Sequence, residues 1–200
     1  MQRRNKDYMK GKNFSCNNVL GKRKKSDFYE TPYSITRQLL EKIRLYGKVL
    51  EPACGNGAIV KELNNYKKDK IKIISYDINT GKDFLKETKR YDFVITNPPY
   101  SLSDKFIDKA LELANDIYFL LPLNYLHGKN RYDKYYRNGL LSELFIFTRY
   151  PMLGEPLRDD GKYHTGMMVY AWFHFTKNVN RLPFIHWLDN NEYVISKKDL

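Results

Sequence analysis

Short apolar runs alternate with amphipathic segments along most of this chain, and that alternation leaves few folds open. The runs Lys48-Val49-Leu50, Ile71-Lys72-Ile73-Ile74-Ser75-Tyr76, Phe93-Val94-Ile95, Ile117-Tyr118-Phe119-Leu120-Leu121 and Leu144-Phe145-Ile146-Phe147 are each bounded by polar or turn residues and read as buried strands. A further run from Met168 to Phe175 is long, aromatic and free of turn residues, so it reads as a late strand. Pro32 suits a first helical turn, and Ile35, Leu39, Leu40 and Ile43 recur behind it at helical spacing. Segments 59–66 and 103–115 are also amphipathic; Phe106, Ala110 and Leu113 share a face, and Ser103 is placed to cap. Strands alternating with helices predict an α/β domain whose mostly parallel sheet is covered on both faces. No internal repeat, low-complexity linker or second boundary interrupts residues 27–200, which are expected to form one domain.

A hydrophobic content of 42% over 200 residues supplies a core for one such domain. The formal charge of +12 points to an anionic partner, with nucleic acid the first candidate and acidic membrane the second. Nine Lys/Arg stand against one acid in the first 25 residues, so a basic arm over 1–26 carries +8 of the total. It is either a solvated, partly disordered tail or an arm that neutralises phosphates, and Arg23, Lys24 and Lys25 abut the next motif directly. Seventeen tyrosines suit stacking on bases and packing on a sheet equally well. The two cysteines, Cys16 and Cys54, and four scattered histidines lack metal-ligand spacing, so no metal and a cytoplasmic setting are expected. No apolar run approaches the roughly 18 residues of a membrane span, and no apolar signal core follows the charged N-terminus.

Three motifs carry chemistry. In "VLEPACGNGAIV", Glu51, Gly55 and Gly57 sit at the turn from a strand into a helix, where glycines let the backbone approach a ligand. Such a loop is structural as often as functional, but Asp77 follows 22 residues beyond Gly55, near the interval at which a carboxylate reaches a ribose hydroxyl. Glu51 separates the pattern from dinucleotide binders, because a carboxylate repels a phosphate and attracts a cation. S-adenosyl-L-methionine, a sulfonium attached to adenosine, fits both features. The third motif, Thr96-Asn97-Pro98-Pro99-Tyr100, ends a strand in two prolines that remove two backbone donors and stiffen the turn.

"FYETP" (28–32), "EPACGNG" (51–57) and "NPPY" (97–100), in that order, resemble the amino-methyltransferases of DNA, with the shorter phage and prophage adenine methylases nearest in "DFYETPYSIT", "LLPLNYLHGKNR" and "YAWFHF". The resemblance spans residues 27 to about 177. It implies a Rossmann-like class I methyltransferase fold with a mostly parallel seven-stranded sheet and helices on both faces. It further implies methyl transfer from S-adenosyl-L-methionine to the exocyclic amine of a flipped adenine, with S-adenosylhomocysteine as product. Phe28, Tyr29, Thr31 and Pro32 would line the methionine side of the cofactor. Glu51, Pro52, Ala53, Gly55 and Gly57 would surround its amino acid and sulfonium, and Asp77 would hold its ribose. Asp83 would meet the adenine amino group, with Phe84 beside the ring. Asn97, Pro98, Pro99 and Tyr100 would form the catalytic turn, Asn97 also bordering the cofactor.

Chemistry explains that turn. An aromatic amine is a poor nucleophile because its lone pair is delocalised, and two acceptors set against its N–H bonds, the Asn97 side-chain oxygen and the Pro98 carbonyl, would localise it. Tyr100 can stack on the base. Cys54 reads as a small filler in its loop; cytosine carbon-5 methylation wants a cysteine after a proline, which neither cysteine is. His127 and His164 read as loop residues. With no room expected for a separate target-recognition domain, contacts to DNA would come from loops carrying Lys129, Arg131, Lys134, Arg137, Arg158 and Lys162. Methylation of RNA adenine, methylation of a protein glutamine, and a non-catalytic nucleic-acid-binding module remain open alternatives.

Overall fold

The computed structural model describes residues 31–151, 159, 164, 168–177 and 182–189. The basic arm with Arg23, Lys24 and Lys25, the aromatic pair Phe28 and Tyr29, and Lys162 lie outside the described residues.

Seven strands form one sheet: β1 (Gly47–Glu51), β2 (Ile71–Ser75), β3 (Phe93–Thr96), β4 (Asp116–Pro122), β5 (Leu141–Phe147), β6 (Tyr170–Thr176) and β7 (Phe184–Leu188), in the order β2-β1-β3-β4-β6-β5-β7. The pairs β1–β2, β1–β3, β3–β4 and β5–β7 are parallel, whereas β6 runs antiparallel to both β4 and β5. The mostly parallel sheet is therefore present, with β6 reversed inside it. The seventh strand, β7, is an edge strand that no sequence pattern had located.

Three helices cover the sheet: α1 (Tyr33–Lys42), α2 (Ala58–Asn65) and α3 (Ser103–Leu113). Alternation along the strands divides the core as the pleat requires. Leu50, Val94, Phe119, Leu144 and Phe173 face α3 through Phe106, Ile107 and Ala110. Val49, Phe93, Ile95, Leu120, Phe145 and Trp172 face α1 and α2 through Ile35, Leu39, Ile59 and Leu63. Trp172 Nε1 donates to the Ile35 carbonyl at 3.0 Å, satisfying the one polar group of a fully buried ring.

Two helix starts differ from expectation. Pro32 occupies the cap position of α1, and its carbonyl accepts from the Ile35 amide at 3.1 Å. Ser103 does not cap α3: Leu102 holds that position, and the Ser103 hydroxyl is buried without a partner among the described residues. The chain arrives through a 3-10 turn at Tyr100–Leu102, which moves the helix start one residue back.

β1 and β3 are neighbours at the centre, and the connection leaving β1 runs to β2 on one side while that leaving β3 runs to β4 on the other. The carboxyl ends of β1, β2 and β3 flank this switch point, where open α/β sheets leave a crevice for ligands. All three motifs meet there.

Candidate active site

Glu51 ends β1 with no exposed surface. Its Oε1 accepts from the Ala53 amide at 3.0 Å and from the Thr96 hydroxyl, at the end of β3, at 2.7 Å. Its Oε2 is buried without a hydrogen-bond partner among the described residues. Burial pushes the carboxyl from 4.5 up to about 8, against the pull of the bonds from Thr96 and Ala53 and with the charge of Asp77 adding to the rise. An orphaned buried acceptor of this kind costs about 1–3 kcal/mol until a ligand supplies a donor or a positive charge.

The loop after Glu51 is built for close approach. Pro52 is buried and Ala53 half-buried, and the Cys54 amide donates to the Tyr76 carbonyl at 3.1 Å, fastening the loop to the end of β2. Gly55 and Gly57 hold φ of 47° and 84°, a region that favours glycine, and a Cβ on Gly57 would meet nothing within 4 Å. Gly57 therefore opens α2 onto free space. Burial and the charges of Glu51 and Asp77 raise the Cys54 thiol above its ordinary range, which disfavours a thiolate nucleophile.

Asp77 joins the two loops. Its Oδ2 accepts from the Gly55 amide at 3.1 Å, and its Oδ1 accepts from the Asn79 amide at 2.9 Å. The 22-residue interval seen in the sequence is thus a direct contact between the glycine turn and the acid. Asp83 Oδ1 caps the next turn by accepting from the Leu85 amide at 2.9 Å, and its Oδ2 lies 3.9 Å from Lys86 Nζ. Phe84 is 2% exposed and packs 4.9 Å from Phe106, so its ring belongs to the core beneath the crevice.

The asparagine turn follows β3. Asn97 Nδ2 donates to Thr31 Oγ1 at 3.0 Å, which turns the amide so that its oxygen points away from Thr31. Thr31 is 6% exposed and immediately precedes Pro32, so this bond ties the end of the N-terminal motif to the asparagine turn across 66 positions. The Pro99 carbonyl accepts from the Leu102 amide at 2.8 Å and closes the 3-10 turn, while the Pro98 carbonyl accepts no bond from the described residues. The Tyr100 ring stacks 6.0 Å from Tyr170 at 29°.

The structure brings together Thr31, Pro32, Glu51, Pro52, Ala53, Gly55, Gly57, Asp77 and the 97–100 turn. It gives three of the candidate loop cations, Lys129, Arg131 and Lys134, carboxylate partners, while Arg158 like Lys162 lies outside the described residues. Arg131 lies 3.8 Å over the Tyr125 ring and pairs with Asp104 on α3 at 3.2 Å, while Lys129 pairs with Asp133. Tyr125 also donates to Asp104, and Tyr135 donates to Asp108 at 2.9 Å. These contacts clamp the segment after β4 onto the helix that follows the asparagine turn. Thr96 and Tyr170 stood inside segments the sequence singled out but carried no site role there, and Tyr150 carried no signal at all. Among the described residues, no group of three His, Cys, Asp or Glu could hold a metal, and no helix is long and apolar enough to cross a membrane.

Sheet order, switch-point crevice and glycine turn give this chain the Rossmann-like fold of class I methyltransferases. The methyltransferase subunit of a type I restriction-modification system from Streptococcus thermophilus superposes on 86% of this chain with a TM-score of 0.57 and 11% identity. The chain spans half the length of that subunit, 50%. A putative RNA methyltransferase from Pyrococcus horikoshii (TM-score 0.49, 17% identity, 76% of this chain and 88% of that one) and a dimethyladenosine transferase from Plasmodium falciparum (0.45, 16%, 74% and 62%) are looser matches. No protein-family model and no curated protein sequence matches the chain.

Proposed function

We propose that this protein transfers a methyl group from S-adenosyl-L-methionine to the exocyclic amine of adenine in DNA. The observation that carries the reading is the juxtaposition of two unsatisfied features at one crevice: a buried carboxylate oxygen on Glu51, and an asparagine turn whose Pro98 carbonyl is left without a partner among the described residues.

The residues present fit the cofactor. Glu51 Oε2 awaits a donor or a cation, Gly57 leaves its backbone open, and Asp77 retains acceptor capacity beside the bonds from Gly55 and Asn79. Bound there, S-adenosyl-L-methionine supplies an electrophilic methyl group on a sulfonium and leaves as S-adenosylhomocysteine. Glu51 ionises as positive charge arrives, which turns the cost of its burial into attraction.

The acceptor side follows from the turn. Thr31 orients the Asn97 amide, and the oxygen accepts one N–H of the amine. The Pro98 carbonyl, fixed by two proline rings and by the use of the Pro99 carbonyl within the next turn, accepts the other. Together they draw the nitrogen lone pair out of conjugation and aim it, so that holding the two reactants in line supplies much of the acceleration. The amine nitrogen forms the new carbon–nitrogen bond as the carbon–sulfur bond breaks, and the proton it then gives up passes to solvent water. Tyr100 stacks on the base, worth roughly 1–3 kcal/mol, and a base from a duplex is flipped out to reach it.

Asn97→Ala tests the reading. With tritiated S-adenosyl-L-methionine, DNA and RNA oligonucleotides and the isolated protein, label is expected in adenine of DNA with the wild type and in nothing with Asn97→Ala, while calorimetry shows cofactor affinity largely kept. Transfer retained by Asn97→Ala would contradict the assignment; label in RNA alone would redirect it to that polymer.

A further inference from the structure

Tyr100 does not stand on its turn alone. Its ring stacks on Tyr170, and Tyr170 lies 4.6 Å from Tyr150 at 36°. Tyr150 in turn meets Phe147 edge-on, 6.1 Å away at 69°. Phe147 is 4% exposed and belongs to the core on the α1 and α2 side. Four rings therefore run from the interior of one face of the sheet to the asparagine turn.

Two of the rings, Tyr170 and Phe147, are carried by paired strands. Tyr170 is the first residue of β6, paired with Pro122 at the end of β4, and the carbonyl of its neighbour Val169 accepts from the Leu123 amide at 2.7 Å. Phe147 ends β5 opposite Leu188. Tyr100, by contrast, sits half-buried on a single 3-10 turn. The core on the α3 side holds one edge of that ring, but without a flat neighbour its plane can tilt, and a base stacking on it bears the cost of choosing one orientation.

We propose that Tyr170, backed by Tyr150, is a positioning residue that fixes the plane of the Tyr100 ring so that its opposite face receives the target base. The proposal rests on the reading that Tyr100 stacks on the base. It requires a flat aromatic face at position 170 and makes no use of the hydroxyl.

Fluorotyrosine placed at position 100 of the full chain reports ring order by fluorine NMR with no substrate present. A single narrow resonance is expected in the wild type and in Tyr170→Phe. Tyr170→Leu, which fills the space without a flat face, and Tyr170→Ala are expected to broaden or split it. In transfer assays on an adenine-containing DNA oligonucleotide, Tyr170→Ala should raise KM for the oligonucleotide about ten-fold, the equivalent of about 1.4 kcal/mol, with cofactor Kd unchanged and Tyr170→Phe restoring KM. An unaltered fluorine resonance in both Tyr170→Leu and Tyr170→Ala, or an unaltered oligonucleotide KM, overturns the proposal. If Tyr100→Ala itself leaves that KM unchanged, the base-stacking reading fails, and the fluorine spectrum still decides whether Tyr170 holds the ring.

Discussion

Glu51 offers a test that needs no substrate. A carboxyl whose folded pKa lies near 8, against 4.5 for an ordinary glutamate, makes stability depend on pH in a direction opposite to most acids. Below pH 4.5 the folded and unfolded chains both carry the proton, and the group contributes nothing. Between 4.5 and 8 only the unfolded chain releases it, so stability falls by about 1.4 kcal/mol per pH unit. Above 8 both states are ionised and the fall stops, after a total loss on the order of 5 kcal/mol. Glu51→Gln keeps the shape and removes the titration. Urea unfolding of both proteins at pH 5, 6, 7 and 8, with the difference taken at each pH to cancel every other group, should show the variant gaining steadily on the wild type. A constant offset, from an amide that bonds Thr96 and Ala53 differently, leaves that slope untouched. Saturating S-adenosyl-L-methionine should shrink the slope in the wild type, because a cation beside Oε2 lowers the folded pKa. Parallel stability profiles for the two proteins from pH 5 to 8 would refute the claim that a buried, underbonded carboxyl lies at this position.

Other outcomes follow from the same contacts. Glu87 runs the opposite way: burial raises its pKa, but the amides of Lys89 and Thr88, the Tyr91 hydroxyl and Lys82 outweigh that and hold it near 2, so its contribution is present above pH 4.5 and lost as pH falls towards 2. Glu87→Gln should therefore flatten the acid limb of the unfolding profile and leave the alkaline limb alone. Gly57→Ala meets no steric neighbour but must adopt φ near 84°, so it should cost about 1–2 kcal/mol in unfolding free energy and weaken cofactor binding measured by calorimetry. Removal of residues 1–25 should weaken affinity for DNA and flatten its dependence on salt, read as the slope of log K against log salt concentration. Arg131→Ala should lower the unfolding midpoint more than it alters that slope, because the guanidinium is already committed to Asp104 and the Tyr125 ring.

What the sequence disclosed were the features set by local patterning. The six apolar runs appear as β1 to β6 because alternation and β-branched or aromatic content act over four to seven residues. β7 stayed hidden for the converse reason: of Phe184-Ile185-His186-Trp187-Leu188 only Leu188 is buried, and the segment is held as a strand by pairing with β5, some forty positions earlier. In the site, the Gly55–Asp77 contact was legible because the crossover from β1 to β2 has a nearly fixed length. The Thr31–Asn97 and Glu51–Thr96 bonds were not, since each joins segments whose separation is set by how much chain lies between motifs. Charge was the least legible property. Lys129, Arg131 and Lys134 look like free cations in a string of letters, and each has a carboxylate partner in the fold.

That pairing bears on where a nucleic acid would be gripped. The segment after β4 commits Arg131, Lys129 and Lys134, though not the exposed Arg137, to Asp104, Asp133 and Asp108, and its Tyr125 and Tyr135 hydroxyls to Asp104 and Asp108. Two of those acids lie on α3, the helix that begins three residues beyond Tyr100. The segment is therefore better suited to immobilising the asparagine turn than to tracking phosphates. Exposed pairs such as Lys129–Asp133 exchange partners at little cost, whereas the stacked Arg131 does not. On the proposed function, two tasks would then be assigned to different material. Rigid placement of the reacting amine would fall to the network of Thr31, Asn97, Tyr100, Tyr170 and the α3 clamp, and long-range attraction of the polymer to the net positive charge of the N-terminal 25 residues. Loss of the arm should then reduce capture and spare the chemical step, so that single-turnover rates at saturating DNA match those of the full chain while kcat/KM falls.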